Sequence, residues 1–175
     1  MHGFLLKSAI AIVTISTVAF SANTAFANGN PPSGTDASYI GAGISVGTTS
    51  GGENGDTTDL GGNIQGRFAV PNAPVSVRGA ILFSDETSAI MPIVSYDIPI
   101  SNNANVYVGG GYSFVEANGQ ATPLGNDDSV VLTAGAEAQL GDSFIVYGDT
   151  KWGIDAYEDS AADALSFQGG VGYKF

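Results

Sequence analysis

Apolar side chains recur at every second position in eight stretches of this sequence, and this alternation restricts the fold more than any other feature does. A period of two is the pattern of a β-strand, whose successive side chains point to opposite faces. Clusters of Gly, Pro, Asn and Asp separate the stretches, as they do at turns between strands. The predicted strands are 38–49, 60–70, 75–84, 88–98, 105–116, 128–140, 143–154 and 163–175.

The first stretch shows the alternation clearly, with Ile40, Ala42, Ile44 and Val46 on one face and mainly Gly and Ser on the other. The fourth stretch is the least regular, because Met91 and Ile93 fall on the otherwise polar face and Pro92 falls on the apolar one. The predicted strands have about ten residues or slightly more, whereas an average globular strand has about 5–6. A tilted strand that crosses a bilayer needs about 9–11 residues.

The charged residues indicate which face points inward. The basic residues beyond position 27 all lie within strands on the non-apolar face, together with two acidic residues; they are Arg67, Arg78, Lys151 and Lys174, with Glu137 and Asp149. A soluble barrel would instead carry Lys and Glu on its outer surface. The polar face therefore suits the crowded interior of a small barrel, while the apolar face would contact lipid. Because an open strand edge in hydrocarbon leaves backbone groups unpaired, the sheet must close.

The sequence thus predicts an all-β fold, an eight-stranded antiparallel up-and-down transmembrane β-barrel spanning 38–175. Short links follow the even-numbered strands and mostly longer links follow the odd-numbered ones, as expected if the short turns are periplasmic and the long loops external. On this orientation the outward aromatic residues form two groups near the two membrane interfaces. They are Phe68, Tyr96, Phe144, Tyr173 and Phe175 at the periplasmic end, and Phe83, Tyr112, Phe114, Trp152 and Phe167 at the external end.

The first 27 residues are typical of a secretory signal peptide. A start containing Lys7 precedes an apolar run at 9–15, and Ala25-Phe26-Ala27 supplies the small residues of a cleavage site. The apolar run is too short for a membrane-spanning helix, which needs about 20 residues. We therefore expect cleavage after Ala27, export across the cytoplasmic membrane, and a flexible lead at 28–37 that is rich in Pro and Gly.

The last eight residues, Gln-Gly-Gly-Val-Gly-Tyr-Lys-Phe, resemble the terminal signal that directs bacterial outer-membrane barrels to their assembly machinery. The positions that carry the pattern are Gln168, Gly170, Tyr173 and Phe175. Together with the signal peptide and the alternating strands, they make the chain similar to the small outer-membrane barrels of the OmpA, OmpX and opacity-protein type. This resemblance implies a Gram-negative outer membrane, contact with its lipid, and the barrel-assembly machinery as a partner during biogenesis. Since the sequence ends at Phe175, we expect no peptidoglycan-binding domain after the barrel.

Composition argues against several kinds of function. Lys and Arg total 5 against 17 Asp and Glu, for a net charge of −12, so the chain has no electrostatic reason to bind nucleic acid. There is no Cys, and the single His lies at position 2 within the predicted signal peptide. The mature chain therefore lacks the commonest general base and metal ligand. We predict that the protein is not an enzyme and has no catalytic, cofactor-binding or metal-binding residues.

The inward charges predict a salt-bridged network, because an eight-stranded barrel is only about wide enough for its own side chains. The predicted members are Arg67, Arg78, Glu137, Asp149, Lys151 and Lys174, with Asp97 or Glu116 as further partners. Inward glycines on the first and fifth strands, at 41, 43, 109 and 111, leave space for Arg side chains or for water. A filled, structural lumen and a narrow channel with a charged lumen are both compatible with this pattern.

Acidic residues gather in the predicted external loops without compensating bases. They are Glu53, Asp56, Asp59, Asp85, Glu86, Asp127, Asp128, Asp155, Glu158 and Asp159. Such a rim attracts divalent cations, although no dedicated calcium-loop spacing is present. The predicted function is a structural or surface-interaction role in the bacterial envelope. A small passive channel and a soluble secreted or periplasmic β-barrel binder are the alternatives.

Overall fold

The computed structural model describes residues 31–49, 60–85, 87–116, 120–158 and 160–175, and the predicted signal peptide lies outside them. Eight strands close into a barrel in which each pairs antiparallel with its sequence neighbours, and the first also pairs with the last. They are β1 (Tyr39–Gly47), β2 (Leu60–Ala69), β3 (Val75–Phe83), β4 (Ser88–Ser101), β5 (Ala104–Val115), β6 (Ser129–Leu140), β7 (Phe144–Ile154) and β8 (Ala164–Lys174). The predicted eight-stranded antiparallel up-and-down barrel is confirmed.

Strand β4 is longer than predicted, since it extends past Ile98 to Ser101. Pro99 has no N–H to donate to a ladder, so the sequence places the strand end before it. In the structure, the register between β4 and β5 shifts between Pro99 and Ser101, and this irregularity accommodates the proline.

The apolar face of the strands points outward and the polar face points inward, as the charges predicted. Outward side chains such as Ile44, Leu60 and Phe175 are 64%, 71% and 65% exposed. Aromatic residues pack in pairs on this outer surface, with 5.7 Å between the ring centres of Phe68 and Phe175 and 6.0 Å between those of Phe144 and Tyr173. A belt of exposed apolar side chains therefore surrounds the barrel.

Among the described residues, no helix is long and apolar enough to cross a bilayer.

The two ends of the barrel differ in their connections. We call the end with the β2–β3, β4–β5 and β6–β7 links the turn end, and the opposite end the loop end. The predicted lead is described from residue 31 onward and has no regular secondary structure. Its residues Thr35 and Ala37 are nevertheless buried in the turn end and hydrogen-bonded there. Polar partners on the barrel wall hold it in place.

Candidate functional site in the barrel lumen

A cyclic set of ion pairs crosses the lumen near the turn end. We call its members, Arg67, Arg78, Asp97 and Glu137, the ion ring. Arg67 lies 2.8 Å from Asp97 and 3.2 Å from Glu137, measured between side-chain N and O atoms. Arg78 lies 3.0 Å from each of the same two carboxylates. Two positive and two negative charges therefore alternate around the ring and balance within it.

Barrel closure positions the ring residues. Arg67 and Arg78 are direct cross-strand neighbours on β2 and β3, an arrangement that is repulsive without an intervening anion. Asp97 reaches them from β4, which is adjacent to β3. Glu137 comes from β6, which pairs with neither β2 nor β3 and therefore contacts the arginines across the lumen. The sequence pattern named Asp97 only as one of two alternative partners.

Neutral side chains complete the hydrogen bonding of the ring. Asp97 accepts hydrogen bonds from the Ser76 and Ser95 hydroxyls, and the two arginine Nε atoms donate to those same hydroxyls at 2.9 and 2.8 Å. Glu137 accepts from the Tyr39 hydroxyl at 3.1 Å and from the Asn105 amide at 3.2 Å. Each carboxylate oxygen of the ring thus has at least two donors, which offsets the cost of burying its charge.

A second ion pair, between Asp149 and Lys151 of β7, continues the network toward the loop end. The Lys151 Nζ donates to Asp149 Oδ1 at 2.6 Å, and the Tyr107 hydroxyl donates to Asp149 Oδ2 at 2.9 Å. The guanidinium carbon of Arg78 lies 3.6 Å from the centre of the Tyr107 ring, and this contact connects the ion pair to the ion ring. Gln65 forms a second connection, because its amide donates to the Tyr39 hydroxyl and its oxygen faces Lys151.

Five of the six predicted network residues thus come together in the lumen, but Lys174 does not join them. Its side chain is half-buried at the turn end, where Nζ donates to Gln139 Oε1 at 3.4 Å. The ion pairs formed among the described residues do not include it. Glu116, the alternative partner, is exposed at the loop end and accepts a hydrogen bond from Ser88. Neither residue belongs to the ion ring.

A tyrosine ring fills the space beside Gly41, one of the four inward glycines where we expected arginine side chains or water, and atoms of the neighbouring strands lie nearest the other three. A Cβ atom added to Gly41 would lie 2.7 Å from a ring carbon of Tyr147, and one added to Gly172 would lie 2.6 Å from a ring carbon of Tyr39. The two tyrosine rings stack with 5.9 Å between their centres. The Tyr147 hydroxyl also donates to Asn63 at 2.6 Å. Aromatic rings therefore close this part of the lumen.

An apolar layer fills the lumen on the loop side of the charges. Met91 and Ile93, the two residues that broke the alternation of β4, point inward and pack in a buried cluster with Ala80, Leu82, Val131 and Ala164. The Leu124 side chain enters the same cluster from the β5–β6 link, and Ala156 enters it from the β7–β8 link. Described residues thus occupy the lumen from the ion ring to its loop end.

A tight turn places Leu124 in the mouth of the barrel. The backbone N–H of Thr122 donates to the carbonyl of Gly125 at 2.8 Å, and Gly125 has a φ of +99°. The turn is attached to β3 by the Ser84 hydroxyl, which donates to the carbonyl of Ala121 at 2.7 Å. We call this turn, residues 122–125, the plug, and the sequence pattern did not predict it. Its signal was the Thr-Pro-Leu-Gly stretch at 122–125, which has proline and glycine at favoured turn positions.

Part of the predicted acidic rim lies in the described residues, namely Asp85, Asp127, Asp128, Asp155 and Glu158. The other predicted positions, Glu53, Asp56, Asp59, Glu86 and Asp159, lie outside them. Two of the carboxylates bind backbone N–H groups, since Asp127 accepts from residue 128 and Asp128 accepts from Val115, each at 2.8 Å. In the part of the chain that the structure describes, no group of three His, Cys, Asp or Glu residues is arranged to hold a metal ion.

The residues of the predicted assembly signal divide between the two faces of β8. Gln168 and Gly170 point into the lumen, where Gln168 is buried and Gly170 faces the Tyr147 ring. Tyr173 and Phe175 point outward and are 57% and 65% exposed. In the closed barrel, only the two aromatic residues of the signal present their side chains on the outer surface.

Comparison with known proteins identifies the fold. No protein-family model matches the chain, and a search of curated proteins finds no match. Among solved structures, Neisserial surface protein A has a TM-score of 0.56 at 13% identity, covering 79% of this chain and 97% of its own. A de novo designed transmembrane β-barrel has a TM-score of 0.54 at 13% identity, covering 81% and 98%. The attachment invasion locus protein Ail of Yersinia pestis, at 18% identity and covering 81% and 100%, has a TM-score of 0.47.

The chain therefore has the fold of the small eight-stranded transmembrane β-barrels, as its resemblance to outer-membrane barrels predicted. At these identities the likeness concerns the fold alone.

Proposed function

We propose that this protein is an integral β-barrel of a bacterial outer membrane, and that it has a structural or surface-interaction role and a closed lumen. One observation carries the proposal: the barrel has an apolar outer surface, and buried ion pairs and an apolar side-chain cluster cross its lumen. The apolar surface fits a lipid environment, and the obstructed lumen favours the outer surface and the loops as the places where other molecules bind.

The outer surface argues against the alternative of a soluble binder. Large apolar side chains on every strand are exposed, including Val94 at 56% and Tyr173 at 57%. A soluble β-barrel buries such residues and exposes charges. In this barrel the charges of Arg67, Arg78 and Lys151 are inside instead.

The lumen argues against a permanently open channel. The ion ring, the Asp149–Lys151 pair and the apolar layer around Leu124 follow one another along the barrel axis. A path for ions would require several of these contacts to break together. A structural or surface role does not require the lumen to open. It also requires no catalytic group, and the sequence has no His or Cys after position 2.

External partners would meet the acidic loops at the loop end. We propose divalent cations as ligands of this rim, because carboxylates such as those of Asp85 and Glu158 attract them. The same cations would bridge the rim to anionic lipid headgroups. Neutralising the acidic side chains of these loops, with the loop lengths and Leu124 kept, should abolish binding of a surface partner without opening the barrel.

Heat-modifiability and membrane fractionation test the location. Unboiled and boiled samples of the outer-membrane and soluble fractions are compared on a denaturing gel. We expect a detergent-resistant species in the outer-membrane fraction whose mobility changes on boiling. A soluble protein with no mobility shift would refute the proposal, since the apolar surface would then have to be buried in some other fold.

Single-channel recording tests the closed lumen. The purified barrel in a planar bilayer should give no stable conductance, and neither should the Asp85→Asn variant, whose side chain is exposed at the loop end. A steady conductance that changes when Glu137 or Asp149 is neutralised would favour the channel alternative. A steady conductance that changes only in the Asp85→Asn variant would place the selectivity of a channel at its mouth. That result would also contradict a closed lumen.

A further inference from the structure

The lead enters the turn end of the lumen through contacts made mostly by its backbone. The N–H of Gly34 donates to the carbonyl of Ser101 at 2.9 Å. The Asn105 side chain then pairs with both backbone groups of Thr35, because its Oδ1 accepts from the N–H at 3.2 Å and its Nδ2 donates to the carbonyl at 2.7 Å. This reciprocal pair imitates the ladder of a β-sheet, in which one strand recognises the backbone of another.

Arg67 of the ion ring makes the next two contacts with the lead. Its Nη1 donates to the carbonyl of Thr35 at 3.2 Å and to that of Ala37 at 2.8 Å. These carbonyls are two residues apart, and in an extended chain such carbonyls point to the same side. Arg67 is 2% exposed, so the donor is held in a fixed position by its ring partners.

Position 34 of the lead accepts only glycine. Gly34 has a φ of +70°, and a Cβ added to it would overlap the Oδ1 atom of Asn105 and lie 3.1 Å from the Cβ of Pro99. Glycine is therefore required, both by its conformation and by the space available. The Asp36 side chain, two positions on, is exposed and lies at the edge of a cavity of about 480 Å³.

We propose that the turn end of the lumen is a binding site for an extended peptide with glycine at its second position, and that residues 33–37 of this chain occupy it. The chemistry that recognises the ligand is the backbone pairing by Asn105 and the two carbonyl contacts of Arg67. Occupation of the site places the lead across the turn end of the lumen and completes the hydrogen bonding of Arg67. The site belongs to the lumen wall, so it does not depend on the membrane in which the barrel lies.

Cysteine labelling in the full chain tests whether the lead is bound. The sequence has no Cys, so Ala37→Cys places a single thiol at a position that is 1% exposed. With the native lead this thiol should resist a charged maleimide. Adding Gly34→Val should accelerate labelling by about tenfold or more, the shift expected when a hydrogen bond to a charged group is lost. Adding Asp36→Asn instead should leave the rate unchanged, and all variants should keep the heat-dependent gel shift that reports a folded barrel.

Peptide binding then tests whether the site accepts a separate peptide or holds only the lead of its own chain. A fluorescent peptide with the sequence of residues 31–39 is added to the full-length Gly34→Val protein and to the native protein. We expect saturable binding to the variant, whose site is vacated, and little binding to the native protein, whose site is filled. A peptide carrying the Gly34→Val change should not bind. Equal labelling of all three cysteine variants, or no peptide binding to a folded Gly34→Val barrel, would overturn the proposal.

Discussion

Removal of one charge from the ion ring is the most direct perturbation of this lumen. In the native ring, Glu137 accepts hydrogen bonds from Arg78 at 3.0 and 3.2 Å, from Tyr39 at 3.1 Å and from Asn105 at 3.2 Å, and it pairs with Arg67 at 3.2 Å. The Glu137→Gln substitution keeps the size of the side chain but leaves two arginines with a single carboxylate. It also turns an amide N–H₂ toward groups that are themselves donors.

The expected cost follows from the burial of the pair. The side chain of Glu137 is 0% exposed and that of Arg78 is 2% exposed, so water cannot replace the lost charge. Breaking a buried pair by removing one partner costs about 3–5 kcal/mol of unfolding free energy. In the double variant Arg78→Gln, Glu137→Gln, equal numbers of charges remain, and the loss should be smaller than the sum of the single losses.

Reversible urea unfolding in lipid vesicles measures the effect. The sole tryptophan, Trp152, lies on the outer face of β7 and reports its transfer from lipid to water. Glu116→Gln is the matched control, because Glu116 is exposed and accepts a hydrogen bond from Ser88 only at the rim. A loss below about 1 kcal/mol for Glu137→Gln, or an equal loss for the control, would show that the ion ring does not stabilise the barrel.

Five further substitutions, two of them controls, test the packing of Leu124, the outer surface and the strand packing by the same unfolding measurement. Leu124→Ala should lower the unfolding free energy by about 2–5 kcal/mol, because the side chain is 1% exposed within the apolar layer. An unchanged value would contradict the packing of Leu124 in that layer. Val94→Lys, on the outer face of β4, should cost about 2–4 kcal/mol in a bilayer, whereas Leu60→Lys near the loop end should cost about 0–1 kcal/mol. Equal costs would contradict the placement of the lipid belt. Gly43→Ala should destabilise the barrel because its Cβ would overlap the backbone of β8, while Gly79→Ala, with nothing within 4 Å of the added atom, should be tolerated.

The strands and their faces could be predicted because alternation is a local property. The expected bounds of β2 and β6, 60–70 and 128–140, differ from the observed Leu60–Ala69 and Ser129–Leu140 by one residue at one end. The inward direction of the charges also followed from the pattern. The sequence placed Met91 and Ile93 on the otherwise polar, inward face, and the structure confirms this. Their role in an apolar layer depends on Leu124 of the β5–β6 link, which the alternation does not predict.

The partners across the lumen could not be predicted from the pattern, because they depend on closure of the sheet. Arg78 and Glu137 are 59 residues apart in the sequence, and they meet only because β3 and β6 face each other across the barrel. Lys174 has the same inward position as the ring residues within its strand, yet it lies at the turn end and pairs with Gln139. The alternation of side chains along a strand does not show which inward residues meet across the lumen.

The sequence by itself determined which side of each strand meets lipid, since side chains alternate with a period of two wherever a strand forms. It determined as well that the charges would be enclosed, because the basic residues beyond position 27 all lie on the polar face. Only the tertiary structure decided that Asp97 completes the ion ring, that Leu124 closes the loop end and that residues 33–37 occupy the turn end. These contacts join segments far apart in the chain, and their geometry exists only after β1 has paired with β8.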